Sequence, residues 1–103
     1  MKRFLLTDAA VRDIDGIRVY LLEQGGTRLV RHVMIPMRQT MEQLGRTPFL
    51  GHFRNDLTDA PARFWQVFSW LIVYDPTPRP IHIVRVLHSS RDVEAVLVRS
   101  GVR

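Results

Sequence analysis

The chain of 103 residues contains no cysteine. Disulfide bridges and thiolate metal sites are therefore excluded, and the fold depends on its apolar core. No apolar run approaches the roughly 20 residues that a membrane-spanning helix needs. The apolar run that follows the basic residues 2–3 is too short for a signal peptide. We therefore expect a cytoplasmic protein that has no membrane partner.

Lysine is nearly absent, because Lys2 stands alone among 15 basic residues and all the others are arginine. The formal net charge is +5. The planar guanidinium group matches carboxylate and phosphate with two parallel hydrogen bonds, so this bias suits an anionic partner. Acidic protein and nucleic acid fit the charge equally well. Because the arginines are spread along the chain, the codon bias of a GC-rich genome is an alternative explanation.

The composition is that of an ordinary folded domain, with 46% hydrophobic and 24% charged residues. The length allows one core, so we predict a single domain over residues 1–103, with 99–103 as a frayed tail. Four scattered histidines without His-x₃-His spacing give no sign of a metal site. No sequence motif indicates a cofactor.

The first half of the chain predicts a short strand and two helices. Residues 3–7 form the strand, and an apolar stripe with helical spacing follows at Ala10, Ile14, Ile17 and Leu21. Gly16 lies inside this helix and weakens it by about 1 kcal/mol relative to alanine. Gly25 and Gly26 end the first helix, and the second spans residues 27–44. The two helices are expected to form an antiparallel hairpin.

The second half predicts three strands and a closing helix. The apolar runs 63–68, 70–75 and 81–88 are strands, and the proline-rich segment 76–80 separates the last two. A helix is expected after Ser89 and Ser90.

The predicted fold is α+β, with the order β-α-α-β-β-β-α and the helical hairpin packed on one face of an antiparallel sheet. The first strand joins at an edge or beside the last strand. Along the last strand, Ile81, Ile83, Arg85 and Leu87 are expected to share one face. The sheet face opposite the helices is mixed in character and is a candidate working surface.

Four segments resemble the RelE/ParE superfamily of bacterial type II toxin–antitoxin toxins. They are LTDAA at 6–10 followed by Asp13, Ile14 and Ile17, then PFLG at 48–51, VYD at 73–75 and IVRVLHSSRD at 83–92. The resemblance spans residues 3–97 and implies a small αβ toxin of a plasmid-stabilisation system. It also implies a cognate antitoxin that covers the sheet face and the helical hairpin. The toxin is expected to form a homodimer or a toxin–antitoxin heterotetramer.

The superfamily has two branches, one that cleaves messenger RNA on the ribosome and a ParE-like one that inhibits DNA gyrase. The cleaving branch carries two lysines, two arginines and a tyrosine. Matched by position, these sites hold Ala62, Phe64, Leu71, Arg91 and Leu97. Only Arg91 is retained, although a gap would bring Arg63 to a lysine site. The resemblance therefore favours a gyrase inhibitor, with a ribosome-dependent endoribonuclease and a non-toxic interaction module as alternatives.

Arg85, His88 and Arg91 are expected to cluster at the end of the last strand as an anion site for the cellular target, with Arg63 as a further member. If the chain cleaves RNA, these four residues are the catalytic candidates. The competing interpretation pairs Arg91 with Asp92 or Asp75.

Four aromatic residues exceed what a sheet of this size needs for its core. They are Phe49, Phe53, Trp65 and Trp70. Aromatic side chains are common anchors in protein interfaces, so these residues are candidates for antitoxin binding. Packing in the core is the alternative.

Overall fold

The computed structural model of the protein describes residues 2–101. Its elements are β1 (Phe4–Leu6), α1 (Asp8–Arg46), a 3₁₀ turn (Pro48–Leu50), β2 (Arg63–Val67), β3 (Trp70–Asp75), β4 (Ile81–His88) and α2 (Val93–Arg99). The predicted α+β class is confirmed. Neither helix in the described part of the chain is long and apolar enough to cross a membrane.

The four strands form one sheet in the order β1-β4-β3-β2. The antiparallel meander of β2, β3 and β4 is as predicted. β1 lies at the edge beside β4 and runs parallel to it, from Phe4 opposite Ile81 to Leu6 opposite Ile83, so the sheet is mixed. Because β1 stops there, the outer edge of β4 has no strand beside it after Ile83. This uncovered edge determines where the candidate site lies.

A bulge in β4 changes which side chains face the helices. Val73 pairs with Arg85 while Tyr74 pairs with Ile83, so Val84 is an extra residue. An inserted residue reverses the alternation of faces beyond it. The single face predicted for Ile81, Ile83, Arg85 and Leu87 is therefore wrong past Ile83: Val86 joins the core that contains Ile81 and Ile83, and Leu87 packs on the other side.

The long helix α1 is a hairpin whose turn is reduced to one residue. Its backbone is helical except at Gly26, which has φ 69° and ψ −164°. A straight helix of 39 residues would be about 58 Å long, but the molecule extends only 37 Å in its longest direction. Side chains of a first arm (residues 8–25) and a second arm (residues 27–46) line one shared groove. The predicted hairpin is thus confirmed.

Both faces of the sheet are covered. The predicted stripe of α1 is buried against one face, together with Trp70, Ile72 and Tyr74. The opposite face, predicted to be an open working surface, carries a second core. Its members are Ala62, Phe64, Leu71, Val73, Leu87, Val93, Val96 and Leu97. Helix α2 supplies the last three of these, and its N-cap is Asp92 rather than Ser89 or Ser90.

Gly16 and Gly26 provide a matched test of the hairpin. A Cβ atom at either position meets nothing within 4 Å, so only backbone conformation distinguishes the two glycines. Gly16 is in regular helix, and Gly16→Ala should stabilise the protein by about 1 kcal/mol. Gly26 occupies a region of φ and ψ that is nearly restricted to glycine, and Gly26→Ala should destabilise it by about 1–3 kcal/mol.

Urea unfolding of the two variants measures both free energies. Equal effects of the same sign would contradict the sharp turn at Gly26.

Candidate functional site

The side chain of Asp13 on the first arm binds the uncovered edge of β4. Its Oδ2 accepts the Val86 backbone N–H at 2.9 Å and the Arg85 Nε–H at 2.7 Å, and its Oδ1 accepts the Arg85 Nη2–H at 2.8 Å. Arg85 Nη1 also donates to Ser100 Oγ, just after α2. The carboxylate thus occupies the place of the missing strand partner and joins α1, β4 and the end of α2.

The Asp13–Arg85 pair is largely shielded from water, because only 11% and 15% of the two side chains are exposed. The hydrogen bonds to Asp13 raise the pKa of Arg85 above its ordinary value. The guanidinium therefore stays charged at every physiological pH. In this structure Arg85 links α1, β4 and the end of α2, and its charge is neutralised by Asp13.

A cleft of about 650 Å³ lies beside this pair, between the first arm and the end of β4. We call it the cationic cleft. Its rim and walls are formed by Arg12, Gly16, Tyr20, His88, Ser90 and Arg91. Its floor is apolar and is formed by Ile17, Trp70 and Val86. The cleft therefore combines charge at its mouth with apolar surface at its base.

The rim carries two uncompensated positive charges. Among the described residues, neither Arg12 nor Arg91 forms an ion pair, and Asp13 is occupied by Arg85. The competing interpretation of Arg91 named Asp92 and Asp75 as partners. Asp92 instead accepts the Ala95 N–H, and Asp75 accepts the Thr77 N–H.

The hydrogen bonds of His88, which lines the cleft, define which nitrogen of its ring acts as the acceptor. Its Nδ1 accepts the Ser90 backbone N–H at 3.1 Å, and a backbone N–H can only donate. In the neutral ring the proton must then lie on Nε2. The Trp70 indole packs edge-on against the ring, with the centroids 5.5 Å apart. His88 thus has an N–H to donate, which suits the binding of an anion better than proton abstraction by Nδ1.

The structure does not bring the four predicted anion-site residues together. His88 and Arg91 line the cationic cleft, and Arg85 lies next to it in its pair with Asp13. Arg63 is opposite Tyr74 whereas His88 is opposite Trp70. Because Tyr74 and Trp70 both lie on β3, Arg63 is displaced from His88 by roughly 13 Å along the strand direction, at about 3.3 Å per residue.

Arg63 belongs instead to a second exposed surface, which we call the aromatic clamp and define as Phe49, Phe53 and Arg63. The guanidinium carbon lies 4.2 Å from the Phe53 ring centroid and 5.1 Å from that of Phe49. Arg63 Nη1 donates to the Gly51 carbonyl at 2.8 Å. Phe49 and Phe53 are 61% and 53% exposed.

The other two predicted antitoxin residues differ from this pair. Trp65 is half-buried and stacks on His52 with the ring centroids 5.5 Å apart. Trp70 is 8% exposed and belongs to the core under the helical hairpin. Of the four aromatic residues, Phe49 and Phe53 thus present the largest free surface to a partner.

Tyr74 anchors the loop that carries the clamp. Its hydroxyl donates to the Pro48 carbonyl at 2.7 Å and accepts the Gly51 N–H at 2.8 Å. A Cβ at position 51 would overlap the Tyr74 ring, so a glycine is required for this close approach. Burial raises the pKa of the Tyr74 hydroxyl above its ordinary value.

The positions that correspond to the ribonuclease site lie mostly in the second core. Ala62, Phe64 and Leu71 are buried there together with Leu97 of α2, while Arg91 is exposed. No group of histidine, aspartate and glutamate side chains within residues 2–101 could hold a metal ion.

Sequence reasoning did not find Arg12, Asp13, Gly16 and Tyr20, although a signal for three of these residues was present. Arg12, Gly16 and Tyr20 are spaced four residues apart, which places them on one face of a helix. Asp13 belongs to the segment that carried the family resemblance, but helical spacing alone does not distinguish it from its neighbour Asp15. The structure separates the two: Asp13 pairs with Arg85, and Asp15 forms an exposed pair with Arg18.

The helical hairpin on a mixed four-stranded sheet, closed by the short helix α2, is the architecture that the resemblance to the RelE/ParE superfamily implies. The family model described as the ParE toxin of the type II toxin–antitoxin system, parDE, matches residues 4–93. The chain therefore belongs to the ParE toxin family. No curated protein matches the chain as a relative.

Replacement of Tyr74 should affect stability at neutral and alkaline pH in different ways. Tyr74→Phe leaves the Gly51 N–H without its acceptor and should cost about 1–3 kcal/mol at pH 7. Because the folded pKa is raised, the native state of the wild type holds this proton longer than the unfolded chain. The resulting stabilisation is complete below about pH 10 and is lost as pH rises through the folded pKa.

Urea unfolding from pH 7 to pH 11 tests this prediction. The Tyr74→Phe variant should lose less stability than the wild type between pH 10 and pH 11, and Tyr20→Phe, at an exposed site, should behave as the wild type does. Identical alkaline profiles for all three proteins would show that burial does not shift the titration of Tyr74.

Proposed function

We propose that this toxin inhibits growth by binding a cellular target, DNA gyrase, in the cytoplasm, and that a cognate antitoxin neutralises it. The observation that carries the proposal is the second core. Four of the five positions that bear the cleaving groups in the ribonuclease branch are here apolar and buried in this core, to which α2 itself contributes Leu97. The chain thus has a toxin fold in which most of the corresponding positions are apolar and buried.

Cleavage of RNA needs a base for the 2′-hydroxyl, cations for the developing phosphorane charge and an acid for the leaving oxygen. Ala62, Phe64, Leu71 and Leu97 can supply none of these. A gap in the alignment would bring in Arg63, but its guanidinium is stacked between two phenyl rings and bonds to loop carbonyls. These facts favour inhibition by binding over inhibition by cleavage.

We assign contact with the target to the cationic cleft, in which His88 and Arg91 are accessible to an anionic group. Arg85 maintains the geometry of the cleft through Asp13. Arg63 reaches a partner only as part of the aromatic clamp.

We assign the antitoxin to the exposed apolar surface elsewhere on the molecule. An apolar groove of about 310 Å³ lies between the two arms of α1 and β1, with Val11 and Ile35 exposed along it. The aromatic clamp adds Phe49 and Phe53, and Trp65 lies nearby on β2. Apolar patches of this kind usually mark protein interfaces.

A ribosome-dependent endoribonuclease is the second candidate, because His88 and Arg91 share one cleft and are both polar groups that RNA cleavage uses. In that case His88 would be the acid or base and Arg91 the cation. A non-toxic interaction module of the same fold is the third candidate.

Expression of the chain without an antitoxin separates these functions. We expect DNA replication to stop and the DNA-damage response to begin before protein synthesis falls. Translation that stops first, with cut transcripts, would identify the ribonuclease, and unaffected growth would identify the interaction module. Incorporation of labelled thymidine and methionine, followed over time after induction, measures the order.

The Arg91→Ala variant should need a dose about 10- to 100-fold higher than the wild type to inhibit growth. The reason is that a hydrogen bond to a charged group contributes roughly 1.5–3 kcal/mol. Arg31→Ala, at an exposed site on the second arm, is the matched control and should keep full potency. Equal potency of both variants would remove Arg91 from the target surface.

A further inference from the structure

We infer that the cationic cleft binds an acidic peptide segment of a protein, with a carboxylate at Arg12 and Arg91 and a neighbouring apolar side chain on the floor of Ile17, Trp70 and Val86. This inference rests on the proposed function, because it names the chemistry that the target offers to the cleft. It also means that the cleft binds a protein surface of the target rather than nucleic acid.

The rim provides the charge for a carboxylate. Arg12 and Arg91 have no acidic partner among the described residues, and the carboxylate of Asp13 is already neutralised by Arg85. The Nε2–H of His88 is a further donor. An incoming carboxylate therefore meets donors and unpaired positive charge, with little repulsion from Asp13.

The floor provides a place for an apolar side chain. Ile17, Trp70 and Val86 all belong to the buried core, and the small surface that they retain lines the base of the cleft. Gly16 keeps the mouth open, since a Cβ at this position would meet nothing within 4 Å. A glycine in regular helix lowers stability, and here its effect is to leave space above the floor.

The surrounding charge disfavours nucleic acid. A nucleic-acid backbone is bound by cations that follow its course over several phosphates. At the cleft itself Arg85 is paired with Asp13, which leaves Arg12 and Arg91 as the arginines of the rim. Two free arginines at one cleft suit one or two carboxylates.

Fluorescence anisotropy with two labelled probes tests the inference. One probe is a short peptide in which leucine and glutamate alternate, and the other is a single-stranded DNA oligonucleotide. The wild type should bind the peptide more tightly than the DNA. Replacing glutamate by glutamine or leucine by serine in the peptide should weaken binding about tenfold in each case.

Gly16→Leu is the decisive variant, because it fills the mouth of the cleft without removing any charge. It should weaken peptide binding at least tenfold while keeping the fold, since leucine is a better helix former than glycine. Arg12→Ala should give a similar loss, and the control Arg31→Ala should bind as the wild type does. Tighter binding of DNA than of peptide, or unchanged peptide binding by Gly16→Leu, would overturn the inference.

The growth assay separates this inference from the proposed function. If Gly16→Leu remains fully toxic, the cleft is not the target surface, although the protein is still a toxin. If the wild type is harmless but binds the peptide in a Gly16- and Arg12-dependent manner, the peptide site stands and the proposed function fails.

Discussion

The carboxylate of Asp13 holds together three parts of the molecule that the chain alone leaves separate. It closes the edge of β4 where β1 ends, by accepting the Val86 N–H and two hydrogen bonds from Arg85. Arg85 in turn reaches Ser100 after α2. An uncovered strand edge exposes unpaired backbone groups and invites association with other chains. In this protein a side chain from the helical hairpin satisfies that edge and fixes the first arm against the sheet.

The same arrangement explains why the molecule has a cleft on one side and a filled core on the other. With the first arm held at β4, Arg12, Gly16 and Tyr20 face His88 and Arg91 across the cationic cleft. On the opposite face, α2 completes the second core with Phe64 and Leu71, so most positions that correspond to the ribonuclease site are apolar and buried. The fold of a ParE-family toxin is thus retained, and the cationic cleft lies on the hairpin side of the sheet.

Local sequence patterns predicted most of the fold, because they depend on neighbouring residues. The helical stripe of Ala10, Ile14, Ile17 and Leu21 and the three later strands were foreseen from periodicity alone. The bulge at Val84 was not, since an extra residue has no signature in an apolar strand and becomes visible only through its pairing with β3. The Asp13–Arg85 pair joins residues 72 positions apart, a contact that helix periodicity does not encode.

A double-mutant cycle with Asp13→Asn and Arg85→Gln tests the role of this ion pair most directly. Asparagine keeps an acceptor for the Val86 N–H, so the cycle isolates the interaction between the two charges. Urea unfolding of the wild type, both single variants and the double variant gives the coupling free energy. A pair that holds the hairpin to the sheet should show a coupling of about 1.5–3 kcal/mol. A coupling below about 0.5 kcal/mol, as found for exposed pairs, would contradict the account.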